Sequence, residues 1–144
     1  MNQKVFGRDA GQTRGAHAED GNNSLAKVVG HLLTYQNLFR IYHWQTTSYA
    51  RHKASDELLS SLGDLVDRLV EGLQGANRQR VLFSRPIQCK FDNVDDRYAT
   101  QLVLNFKQSL QELHTNIDVD PGISNTIDEM IALMDKTLYL FTFE

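Results

Sequence analysis

From Ser24 onward, apolar residues return at intervals of three and four: Leu25, Val28, Val29, Leu32, Leu33, Phe39 and Tyr42. Because 3.6 residues complete a helical turn, that spacing lays them along one side of an α-helix. Asn22, Asn23 or Ser24 can cap its start. Leu38, Ile41 and Trp44 widen the apolar coverage near its end beyond what a one-sided surface helix requires. After a break at Gln45 to Tyr49, a second helix is expected from about Arg51 to Leu73. Leu58, Leu62, Leu65, Leu69 and Leu73 form its stripe, and Gly75 is its natural terminator. Residues 76 to 93 lose the period and include Pro86, so they read as a connecting crossover.

A third helix follows, capped by Asp95 or Asp96 and running to about His114, with Leu102, Val103, Phe106, Leu110 and Leu113 as its buried set. The fourth carries the strongest signals. Asp120 can cap it, and Pro121 occupies the first helical position, where a missing N–H costs nothing. Ile127, Met130, Ile131, Met134, Leu138 and Phe141 then supply its apolar side. Short, long and short connections between four helices give an all-α fold, a ferritin-like four-helix bundle with one crossover connection. The bundle is expected over residues 24–144 and a polar N-terminal tail over residues 1–23. That tail holds few large apolar side chains beyond Val5 and Phe6, so alone it would be disordered.

Composition narrows the function classes. A chain of 144 residues, 41% apolar and 23% charged, is long enough for one soluble domain with its own core. The net charge is −3, and Lys4, Arg8 and Arg14 of the tail are balanced by Asp9, Glu19 and Asp20. Nothing there favours a polyanion, so DNA binding is not expected. No apolar run is long enough to span a bilayer, and no membrane partner is expected. Cys89 is the only cysteine, which excludes an intrachain disulfide and fits a reducing compartment, the cytoplasm.

One constellation invites a chemical reading. His43 and Trp44 end the first helix, His52 opens the second, Asp56 lies one turn on, and Asp67 and Glu71 lie further along. Imidazole and carboxylate together suit Fe²⁺, with Mn²⁺ or Zn²⁺ as alternatives, and carboxylates favour the harder Fe³⁺. Asp67 and Glu71 are four apart, so they share a helix face and repel unless a cation lies between them. His52 and Asp67 stand fifteen residues apart, roughly 22 Å at about 1.5 Å per residue. No single ion reaches both in one chain. A shared site therefore requires a second copy with its helix antiparallel, and a two-fold dimer supplies two equivalent sites. Ser60 and Gly63 lie on the same stripe and are small enough for close approach.

The stretch HWQTTSYARHKASDELLSSLGDLVDRLVEGLQG, from His43 to Gly75, resembles the signature of the Dps-type miniferritins. The shared features are a His-Trp pair, a second histidine, an acid one turn on, and an Asp-x-x-x-Glu pair. The resemblance implies an iron-oxidising centre between two-fold-related subunits, with His43, His52, Asp67 and Glu71 as ligands and Asp56 as an auxiliary ligand. Trp44 would pack beside it. It also implies assembly into a hollow dodecamer that stores ferric mineral or consumes peroxide. The His43 to His52 segment is also similar to short Dps-like proteins of phages and large viruses, which makes association with a virion a second expected location.

The alternative is a ferritin-like structural or virion-assembly protein without catalysis. His43 and Trp44 would then close the bundle end, and His52 would be a polar residue of the first turn. His17, His31 and His114 lack partners at ligand spacing and read as tail or surface residues. Tyr35, Tyr42, Tyr49 and the run from Tyr139 to Phe143 read as core or interface.

Overall fold

The apolar stripes fold onto one core. The computed structural model describes residues 13–116 and 120–143, with side chains from Ser24 onward. Its elements are α1 (Thr13–Gln45), α2 (Tyr49–Asn77), α3 (Asp96–Asn116) and α4 (Pro121–Leu140), with no strand among the described residues. Pairings fix the directions. His43 and His52 meet across the short α1–α2 connection, Tyr35 stacks on Phe106, and Arg68 and Glu57 of α2 pair with Glu129 and Lys136 of α4. Helices α1 and α4 therefore run one way and α2 and α3 the other, and residues 78–95 cross the length of the bundle. This is the four-helix, one-crossover arrangement expected of the sequence.

Leu32, Phe39, Tyr42, Leu58, Leu62, Leu69, Val103, Phe106, Ile127, Met130 and Met134 are almost wholly shielded from solvent. Truncating one large member such as Phe106 to alanine costs about 3–5 kcal/mol through lost burial and the cavity left behind. Leu33 is the exception in the first stripe, being 43% exposed. Leu32 already faces the core, and the next residue is turned about 100° away from it.

The helix boundaries differ from the sequence reading at three points. Helix α1 begins at Thr13, so part of the expected tail is helical backbone. That stretch includes helix formers but no apolar stripe, and periodicity alone does not detect such a helix. Residues 1–12 lie outside the described residues. Helix α2 starts at Tyr49, where Ser48 accepts a hydrogen bond from the Arg51 amide. It also runs past Gly75 to Asn77, and the left-handed residue that ends it is Arg78, with φ 52°. Asp95 caps α3 by accepting from the Tyr98 amide at 2.7 Å. Asp120 does the same for Gly122 at the head of α4, as expected.

The crossover is tied at both ends by glutamines. Gln74 Oε1 accepts the Val81 amide at 2.8 Å. Gln45 accepts the Val94 amide at 2.7 Å and donates to Asn93 Oδ1. Between them Ile87 lies on α1 at Gly30, where an added Cβ would stand 3.2 Å from Ile87 Cδ1. A larger residue there would require the Ile87 side chain to give way by a few tenths of an ångström.

Candidate metal-binding face

Three residues, Thr46, Thr47 and Ser48, separate α1 from α2, and the two helix ends are clasped by their histidines. His43 Nδ1 stands 3.2 Å from the His52 carbonyl, and His52 Nδ1 stands 3.0 Å from the His43 carbonyl. The rings stack at a centroid distance of 4.1 Å with planes 20° apart. Since a carbonyl oxygen only accepts, each Nδ1 carries the proton and donates. Neither Nε2 has a hydrogen-bond partner among the described residues. In the neutral ring that atom holds the free lone pair, the one a metal takes.

Ser55 completes the clasp. Its fully buried hydroxyl donates to the His52 carbonyl at 2.9 Å and lies 3.0 Å from His43 Nδ1. Sequence reasoning passed over this residue. The available signal was a polar side chain next to the apolar stripe of α2, where an unpaired hydroxyl would be costly.

A second network braces the same end of the bundle. The Tyr42 hydroxyl, on a fully buried ring, donates to Asp96 Oδ1 at 2.7 Å and accepts from Arg51 Nη1 at 3.3 Å. Arg51 also reaches the Asp96 carbonyl at 3.0 Å and lies over the Phe141 ring, 4.9 Å from its centroid. Burial pushes the Tyr42 hydroxyl above its ordinary pKa, so it stays protonated as the donor this geometry needs. All four helices thus meet around the base of the histidine clasp. Tyr42 and Tyr35 are core and bundle-packing residues, whereas Tyr49 and Tyr139 are largely exposed.

The acids lie elsewhere on α2. Asp56, Asp67 and Glu71 are exposed on its outer side. None of the three takes part in an ion pair or hydrogen bond among the described residues. Their neighbours on the α4 side behave differently, since Glu57 is paired with Lys136 and Arg68 with Glu129. On the outer side Gly63 faces open space, with nothing within 4 Å of an added Cβ. Within one chain, then, the structure brings His43 and His52 together but leaves Asp67 and Glu71 apart from them. Among the described residues no three His, Cys, Asp or Glu side chains gather closely enough to hold a metal. Trp44, beside His43, is 70% exposed rather than packed within the chain.

His114 and His31 have partners that their spacing did not announce. His114 joins α3 to α4, with Nε2 2.8 Å from Ser124 Oγ and 3.3 Å from Asp128 Oδ1. His31 meets the Tyr35 ring edge-on at 4.9 Å. The side chain of His17 lies outside the described residues. No helix among them is long and apolar enough to cross a membrane.

Comparison with known proteins places the same region in a wider group. Residues 43–141 match the profile of DUF5856, described as a family of unknown function, and this stretch includes all five candidate ligands. An uncharacterized 14.6 kDa protein of the mobD-ri intergenic region of Enterobacteria phage T4 is 30% identical over 128 residues. The alignment covers 88% of this chain and 95% of that protein. No solved structure matches the chain.

Proposed function

The chain belongs to the DUF5856 family, and on that footing we propose that it binds and oxidises Fe²⁺ between two copies related by a two-fold axis. The supporting observation is the division of labour within the ligand set. Both histidines commit Nδ1 inside the chain and keep Nε2 free, while Asp56, Asp67 and Glu71 stay unpaired on the outer side of α2. An antiparallel second copy of α2 would bring its Asp67 and Glu71 toward the histidine end of the first, with Ser60 and Gly63 allowing close approach.

The donor set fits the chemistry. Imidazole suits Fe²⁺, and carboxylates stabilise the harder Fe³⁺, so the mixed set favours loss of an electron from the bound ion. Asp56 is the auxiliary ligand. With peroxide as oxidant, two Fe²⁺ each give up one electron, and one H₂O₂ takes both with two protons to leave two waters. Manganese or zinc would occupy the same donors. A dodecameric cage that stores the ferric product is the larger assembly this reading anticipates, in the cytoplasm or within a virion.

Anaerobic Fe²⁺ titration followed by peroxide tests the reading. Saturable binding and rapid oxidation are expected in the wild type, and both should be lost in a His52→Ala, Asp67→Ala double variant. Identical behaviour of the two proteins would leave the second reading, a non-catalytic structural or virion-assembly component. That reading draws support from the exposed Trp44, Tyr49 and Phe143 and from the phage origin of the relative.

A further inference from the structure

We infer that Ser55 is a positioning residue that, together with the His52 carbonyl, holds the tautomer of His43 and so fixes which nitrogen of that ring faces outward. The inference rests on the proposed metal reading only for its purpose; its geometry stands within one chain.

A neutral histidine left to itself prefers its proton on Nε2, which would leave Nδ1 as the only free lone pair. In this fold Nδ1 of His43 points at two oxygens, the His52 carbonyl at 3.2 Å and Ser55 Oγ at 3.0 Å. The serine hydroxyl could in principle donate to a bare Nδ1. Its hydrogen is already committed to the His52 carbonyl at 2.9 Å. Ser55 Oγ therefore presents a lone pair to the ring, and the carbonyl beside it repels any second lone pair. Both demand a proton on Nδ1 of His43. Because Ser55 is fully buried, its oxygen cannot turn to water instead.

His52 reaches the same tautomer by a different route. Its Nδ1 donates to the His43 carbonyl at 3.0 Å with no hydroxyl involved. One ring is thus set by backbone alone and the other by backbone and Ser55 together. The outcome is two stacked rings that both carry their lone pair on Nε2 before any cation arrives. Outer hydrogen bonds of this kind typically change the affinity of a ligating histidine by about 10–100-fold.

The test is long-range ¹H–¹⁵N correlation of the imidazole rings in metal-free protein, recorded at about pH 8. Wild type, Ser55→Ala and Ser55→Thr are compared. In the wild type both rings should show the pattern of a protonated Nδ1. In Ser55→Ala, His43 keeps only the longer of its two Nδ1 contacts, the His52 carbonyl at 3.2 Å, and should shift part-way toward the Nε2-protonated form while His52 stays as it was, and Ser55→Thr should restore the wild-type pattern. An Nε2 proton on His43 in the wild type, or an unchanged His43 in Ser55→Ala, would overturn the inference. Titration with Zn²⁺, a redox-silent probe, separates this from the wider reading. Binding at least about tenfold weaker in Ser55→Ala is expected. If the tautomer moves as stated but the wild type takes up no Zn²⁺, the role of Ser55 stands and the metal site falls.

Discussion

His43 and His52 exchange hydrogen bonds: each ring donates from Nδ1 to the backbone carbonyl of the other residue, at 3.2 and 3.0 Å. The two rings lie flat against each other across a connection of three residues. Each acceptor is a backbone carbonyl that survives substitution to alanine, so either variant loses its own hydrogen bond, and the ring stack, which needs both side chains, is what couples the two. Urea unfolding of His43→Ala, His52→Ala and the double variant should give a coupling of about 1 kcal/mol. Additive effects would show that the stacked pair is incidental to the fold.

Tyr42 makes a separate prediction. Replacing it with phenylalanine keeps the buried ring but strips Asp96 and Arg51 of a shared partner. A loss of about 1–2 kcal/mol is expected in chemical denaturation. Metal uptake by the folded protein should be unaffected, because the clasp of His43 and His52 does not use the hydroxyl.

Arg78 ends α2 in the left-handed region, where a side chain is strained and glycine is not. Arg78→Gly should raise stability by about 0.5–1 kcal/mol, read as a higher urea midpoint. A lower midpoint would mean that the arginine side chain holds something that offsets its backbone conformation.

Burial holds the His31 imidazole below its ordinary pKa, with Glu112 opposing the shift. The unfolded chain therefore takes up a proton at a pH where the folded chain still refuses it. The contribution to stability is complete above the unfolded value of about 6.5 and declines as pH falls through that value toward the folded one. Comparing urea midpoints at about pH 5 and about pH 8 should show a smaller acid-side loss in His31→Gln than in the wild type. An equal loss in both would assign the pH dependence to other groups.

The four helices were legible because their apolar residues keep the 3.6 period, and the start of α4 was legible because Asp120 and Pro121 each leave a local mark. The first eleven residues of α1 were not, since propensity without an apolar stripe resembles a polar tail. Gly75 misled because a glycine inside a helix costs only about 1 kcal/mol, a penalty that the packed α2 tolerates. Of the proposed site, the donor types and the wide separation of His52 from Asp67 along one helix could be read from spacing and helical rise. The clasp could not. It depends on how sharply residues 46–48 turn, on a serine buried among leucines, and on which ring nitrogen faces a carbonyl. None of these leaves a period in the sequence.

The claim that one site is built from two chains is tested most directly by mixing subunits. A His43→Ala, His52→Ala variant and an Asp67→Ala, Glu71→Ala variant should each bind no Fe²⁺ at the proposed site under anaerobic conditions. After mixing in equal amounts and allowing exchange, half the dimers are hybrids, and each hybrid regains one intact site of two. Binding and oxidation should therefore return to about a quarter of the wild-type level. No recovery after demonstrated exchange, or full activity in either variant alone, would contradict a site shared across the two-fold axis.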